Sequence, residues 1–422
     1  MERKDAARIR SLAEKWVELA ALPIMQERKK LWSDLHSLRP TRPMILVEPG
    51  EIFNYVESRE LQCQDEYLRN VEYLMLETIR HAEEVGDDVV VEPYLRIGWD
   101  IEFSSFGVDV QMVNAEALDS SRLGYIFNYP VKTPEDINCL VPRQMRINQE
   151  ISLKRQEKLQ EILGGILDVR VGNFDHFDTA RPGYDAWVGL YFFGLTWQLH
   201  RFVGMDQMMY WYYDFPEAMH ALMRYMTDDR KRLFTLLEKE GCITPNTDNQ
   251  KAGPNFYGYC GDLKAPGTAS GTKLLDCWAW AESQESTGVS CEMFSEFVLP
   301  YMAELAKMFG LVYYGCCEPV HDKLEAVKAA IPNLRAVSVS GWNDFDVIGE
   351  MLGDRYVYSR KPVSPPLSGA NADWDAAKAD LERTKRSARA GHLEVLYRDI
   401  YDIHGDRKRL SEWVKLARRV LE

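Results

Sequence analysis

Two adjacent thiols and a carboxylate, Cys316, Cys317 and Glu318, follow the apolar run Leu311-Val-Tyr-Tyr and a glycine, Gly315. A run of that length and composition reads as a strand, and the glycine marks the place where the chain turns. The three polar groups therefore stand at a strand end. Thiolates are metal ligands and nucleophiles, yet cysteine is also among the most buried residue types, so for this stretch alone packing and ligation are both open. Other runs end in polar groups in the same way. Asn173 and His176 follow the run from Ile166; Glu282 and Gln284 follow Leu274 to Trp280; Ser340 and Trp342 follow Leu334 to Val339. Lys361 follows Tyr356 to Tyr358, and Asp399 and His404 follow His392 to Leu396. Two thiols with a carboxylate or an imidazole would make a three-ligand zinc set with one open position for a substrate heteroatom. Cys277, inside its run, is a reserve ligand on the expectation that it shares an inward face with Ala279.

Groups this far apart in sequence meet only if the elements behind them are arranged to bring them together. From residue 274 to the C-terminus, strand-like runs alternate with helical patterns at 291–309, 321–331, 345–352 and 374–390, which implies βα units and a parallel sheet. Strand candidates lie at 43–48, 88–92, 166–172, 187–193, 274–280, 311–314, 334–339 and 392–396, with 356–358 as a spare. That number fits an α/β fold of the (β/α)8 TIM-like barrel type, in which strand C-termini share one mouth. A doubly wound sheet is the rival, but no GxGxxG or P-loop motif is present. Helical periodicity over residues 1–40 reads as an N-terminal helical extension preceding a barrel over 41–422. The faded periodicity of 97–150 reads as an inserted capping segment.

Composition narrows the function. The chain has 422 residues, 46% hydrophobic and 27% charged, with net charge −14. Such an excess of acid argues against nucleic acid or an anionic membrane as partner and favours a small-molecule substrate. The N-terminus lacks the apolar core of a signal peptide and no stretch has the length of a membrane helix, so a cytoplasmic protein is expected. Eight cysteines without a CxxC pair exclude a zinc ribbon or finger and leave reduced thiols or ligands.

The block Ser-Gln-Glu-Ser-Thr-Gly-Val-Ser-Cys-Glu-Met-Phe-Ser-Glu-Phe-Val-Leu-Pro-Tyr at 283–301, followed by Tyr-Tyr-Gly-Cys-Cys-Glu-Pro, resembles the uroporphyrinogen decarboxylase superfamily. The resemblance implies a TIM-like barrel and offers two chemistries. The decarboxylases carry an arginine segment after the first strand. Here that place reads Leu46-Val-Glu-Pro-Gly50, which repels a polyanionic porphyrinogen. The other branch holds zinc-dependent methyltransferases that work with a corrinoid protein. Their His-x-Cys pattern falls on Tyr314-Gly315-Cys316, with tyrosine in place of histidine. The resemblance thus implies methyl transfer between a small methylated substrate or acceptor and a cobalamin carried by a partner protein, since no Asp-x-His-x-x-Gly cobalamin motif occurs here. It implies zinc on Cys316, with the missing ligand to come from Glu282, Cys317 or His404, or from Glu318; Cys317 and Glu282 are the expected pair. From their places at the strand ends, His176, Gln284 and Lys361 are expected to be catalytic and Asn173, Tyr314, Ser340 and Trp342 to contact substrate. The alternative is a decarboxylase or lyase of a small carboxylic acid, in which mouth residues hold the carboxylate and protonate the product.

Overall fold

The structure, a computed structural model, describes residues 2–114, 125–172, 191–267, 271–389 and 391–422. Helices α1 (Glu2–Ala20) and α2 (Pro23–His36) precede strand β1 (Met44–Val47), helix α3 (Glu66–Glu84) and strand β2 (Tyr94–Gly98). Then come α4 (Gln149–Leu163), β3 (Asp168–Gly172), α5 (Leu195–Val203), α6 (Met205–Asp214) and α7 (Pro216–Lys239). The second half runs β4 (Trp278–Ala281), α8 (Cys291–Phe297), α9 (Leu299–Ala306), β5 (Leu311–Tyr314), α10 (Leu324–Ala330) and β6 (Leu334–Val339). It ends with α11 (Phe345–Leu352), β7 (Val357–Arg360), α12 (Trp374–Ala388), β8 (His392–Tyr397) and α13 (Lys408–Leu421). The single helix expected over 291–309 is split because Pro300 in the first turn of α9 has no N–H to continue it.

Six strands form one parallel sheet in the order β1-β8-β7-β6-β5-β4. A parallel sheet with helical crossovers is compatible with a TIM-like barrel. The sheet extends at both edges without regular strands. Beside β4, Phe192 makes an isolated parallel bridge to Trp280. Beside β1, the stretch 88–92 is buried but forms no ladder: Asp88 N–H donates to Ile45 O at 2.8 Å, while the Asp88 and Asp87 carboxylates accept the N–H groups of Ile45 at 2.9 Å and Val47 at 2.7 Å. Side chains there replace backbone partners, so the apolar run keeps its place without strand geometry.

Two expectations change. The run at 356–358, held as a spare, is the core of β7 and sits between β6 and β8. The run at 166–172 contains β3, which pairs with β2 in a separate two-stranded sheet. Within 97–150, Ile101–Phe103 pairs antiparallel with Met145–Ile147 and Met112–Asn114 with Tyr125–Phe127.

Strand alternation sorts side chains onto two faces. Trp278, Trp280, Tyr313, Ala336, Val357 and Leu396 pack together with Met44, Leu46, Val90 and Phe192. Cys277, Ala279, Ala281, Tyr314, Val337 and Tyr358 pack on the other face with the helices. Cys277 and Ala279 do share a face, as expected, but it is the helix side. A third cluster joins α1, α3 and α4 to the β2–β3 pair through Trp16, Met75, Ile79, Leu159 and Val169.

Candidate functional site

The C-terminal end of β5 is shaped by Gly315, whose φ of +97° belongs to the region glycine occupies without strain. It turns the chain so that the carboxylate of Glu318 accepts two backbone N–H bonds, from Ser283 at 3.0 Å and from Cys316 at 2.8 Å. One buried carboxylate thereby ties the end of β4 to the end of β5. Next to this clamp the sulfurs of Cys316 and Cys317 lie 3.6 Å apart, and Cys317 N–H donates to Gln284 Oε1 at 3.2 Å. The hydrogen bond between the thiols and burial push Cys316 well above the ordinary thiol range, whereas the bond from Cys316 draws Cys317 below it. Of the two sulfurs, Cys317 is the one shifted toward the thiolate.

Lys361, after β7, is 5% exposed, and its Nζ donates at 2.8 Å to both Tyr313 Oη and Ser359 Oγ. Burial pushes its pKa down to about 7, against the pull of Glu394. Glu394 itself faces His36, with Nε2 2.9 Å from Oε2 and both side chains fully buried. Arg398, after β8, pairs with Glu51 at 2.9 Å and Glu48 at 3.4 Å. Burial works against its charge, but Glu48, Glu51 and Asp399 keep it firmly protonated, and it also lies within reach of the Cys316 and Cys317 charges.

A cavity of about 510 Å³ opens beside these groups, bounded by the loop after β1, helix α3, β2, residues 249–257, Trp280 and Arg398. Trp280 links it to the thiols: the indole lines the cavity and donates through Nε1 to Gly315 O at 3.0 Å, one residue before Cys316. Glu48, Glu51, Glu77, Arg96, Lys251 and Arg398 supply the charge of the wall.

The expected residues divide. Gln284, Cys316, Cys317 and Glu318 meet where β4 and β5 end. Lys361 is buried and electrostatically joined to the thiols. Ser340 Oγ donates to Glu318 O at 3.2 Å and supports that end from β6. Tyr314 is fully buried on the helix side, sharing a 2.9 Å hydrogen bond with Ser283 Oγ, and Trp342 is 77% exposed. None of Gln284, Cys316, Cys317, Ser340, Lys361, Tyr314 and Trp342 is among the residues lining the cavity; the first five stand behind its wall at the strand ends. Cys277 donates to Thr244 O at 3.6 Å from the helix-facing core, and burial pushes it to about 12, so it serves packing. His404 is exposed at 3.2 Å from Ser368 O. Asn173 and His176 lie outside the described residues. Arg398, Glu48, Lys251 and Glu77 were missed. Glu48 and Arg398 stand just after strands, which was the available signal; Glu77 and Lys251 carry none.

Among the described residues the donors expected for zinc, Glu282, Cys316 and Cys317, do not group as a metal-holding set. Glu282 Oε2 accepts from Gln284 N–H at 2.7 Å, its Oε1 is buried without a partner, and Glu318 is committed to two backbone N–H groups. Burial, with Glu285 and Glu318 nearby, raises Glu282 well above the carboxylate range. Among the described residues no three His, Cys, Asp or Glu side chains are grouped to hold a metal ion. No helix among them is long and apolar enough to cross a membrane.

No family model matches the chain, and no curated protein matches it in sequence. Its structure is similar to that of a methyltransferase from Methanosarcina mazei, with a TM-score of 0.50 and 10% sequence identity over 93% of this chain and 98% of that one. At that identity the likeness concerns the fold.

Proposed function

We propose that this chain is a methyltransferase that moves a methyl group between a small molecule held in the cavity and a corrinoid on a partner protein docked over the strand ends. In this reading the six parallel strands, with the stretches at 88–92 and 191–193, make an eight-stranded (β/α)8 barrel whose mouth is the cavity. The observation that carries the reading is the joining of that cavity, through Trp280 and Arg398, to a thiol pair and a buried amine at the strand ends. The corrinoid, when docked, supplies the metal centre that takes or gives the methyl group.

This chain's own side chains do the rest. The cavity wall holds the substrate heteroatom in line and keeps water from it. When the carbon–heteroatom bond breaks, its electron pair stays on the heteroatom: an ether or thioether leaves as an anion that takes up a proton, which Lys361, with a pKa of about 7, is suited to deliver, whereas a quaternary ammonium leaves as a neutral amine and takes none.

The lyase reading would use Arg96, Lys251 and Arg398 to grip a carboxylate, but each is already paired, with Asp248, Glu48 and Glu51 respectively. Methyl transfer from a panel of methylated amines, thioethers and aryl ethers to free cob(I)alamin, followed by visible absorbance, tests the proposal. Transfer from ethers and thioethers should fall as pH rises through 7, where Lys361 loses its proton, and transfer from quaternary ammonium donors should not. Lys361→Met should lower the ether and thioether rate by roughly 100-fold and remove that limb. No transfer from any donor, with carbon dioxide released from a small acid, would overturn it.

A further inference from the structure

Among the described residues of the cavity wall, one carboxylate stands outside every ion pair. Lys251 is paired with Glu48, Arg398 with Glu51 and Glu48, Arg96 with Asp248, and His81 with Asp87 at 2.8 Å. Glu77, on the inner side of α3, lines the same cavity and has no hydrogen-bond or ion-pair partner among the described residues. Its position is enforced from below. The carboxylate rests over Gly50 in the turn after β1, so closely that a Cβ at Gly50 would come within 3.0 Å of Glu77 Oε1. A side chain on that turn would displace the carboxylate, and glycine leaves it room.

Around this anion the wall is aromatic. Tyr73, Tyr257 and Trp280 line the cavity, and Trp280 is held by its bond to Gly315. An unneutralised carboxylate with aromatic rings in one cleft is the combination that recognises an organic cation, because charge attraction and the electron-rich ring faces act together while no hydrogen-bond donor is required. Burial raises the Glu77 carboxyl, with Lys251 and His81 opposing, and a cation beside it would favour the charged form.

The geometry points to a quaternary or tertiary methylammonium group as the ligand of this cavity, anchored by Glu77. Its role as the methylated substrate rests on the methyl-transfer reading; its binding does not. Calorimetric titration of the full chain with choline and with 3,3-dimethylbutan-1-ol, the same shape without charge, separates the two. Choline should bind at least tenfold more tightly. Glu77→Gln should reduce choline affinity at least tenfold and leave the alcohol unchanged, while Glu77→Asp, which keeps the charge, should retain a preference for choline. Thermal melts of each variant confirm that it is folded. Equal binding of the two probes, binding of neither, or a choline affinity indifferent to Glu77→Gln would overturn the inference. Choline binding without methyl transfer to cobalt would overturn the methyl-transfer reading alone.

Discussion

Cys316 and Cys317 are neighbours in sequence and 3.6 Å apart through sulfur, yet their thiols are driven in opposite directions. A single hydrogen bond explains the split, since whichever sulfur donates must keep its proton and whichever accepts gains stability as the thiolate. Cys317 should therefore be alkylated by iodoacetamide at a lower pH than the exposed Cys139, which serves as an internal reference. Cys316→Ala removes the donor and should slow Cys317 alkylation at pH 7 by roughly threefold to tenfold, read by peptide mass spectrometry. An unchanged rate in that variant would show that Arg398, and not Cys316, sets the reactivity. The same pair marks how far sequence could reach. A doubled cysteine after an apolar run was visible, but the sulfur that becomes reactive depends on a hydrogen bond that spacing does not encode.

At the scale of elements, the end of β5 depends on Gly315. A Cβ there would meet Ser338 Cβ at 3.1 Å and Val320 Cγ1 at 3.3 Å, on a backbone at φ +97°. Gly315→Ala should cost about 1–3 kcal/mol in urea denaturation and, by shifting the turn that carries both thiols, abolish the preferential alkylation of Cys317. Strands β5 and β6 were legible with their exact bounds because each is a buried apolar run closed by a turn residue. Strand β7 was less visible because Ser359 and Arg360 interrupt its hydrophobic pattern; both are fully buried, with Arg360 satisfied by Asp380 at 2.5 Å. The stretch at 88–92 misled in the opposite sense. It has the composition of a strand, but Asp87 and Asp88 take over its hydrogen bonds with side-chain oxygens, a substitution that hydrophobic patterning does not register. The cavity was least legible, since its wall combines α3, the turn after β1, residues 249–257 and the end of β8, and no sequence period spans them.

For the whole molecule, the placement of acids sets how stability responds to pH. Burial opposes ionisation of Glu48, but Lys251 and Arg398 hold it below the ordinary range; burial likewise opposes Asp88, which Arg42 and Arg418 hold down. Such groups stabilise the fold above the unfolded carboxylate range, and that contribution is lost as pH falls through their lowered values. Glu77 behaves in the opposite way, because burial raises it and neither Lys251 nor His81 neutralises it. Between about pH 4.3 and the raised folded value, the unfolded chain has released the Glu77 proton while the folded chain still holds it, so this residue weakens folding as pH climbs through that window, above which the folded carboxylate is charged. Glu77→Gln should then be more stable than the parent at pH 8, by roughly 1–2 kcal/mol in urea denaturation, and nearly equal to it at pH 4.5. Equal or lower stability at pH 8 would mean that burial does not disfavour the charged Glu77 carboxylate in the folded chain. The gain should disappear when choline is saturating, because the bound cation stabilises only the protein that keeps its carboxylate. Stability given up at a site between the α1–α3–α4 cluster and the main sheet is what a binding residue, as opposed to a packing residue, produces.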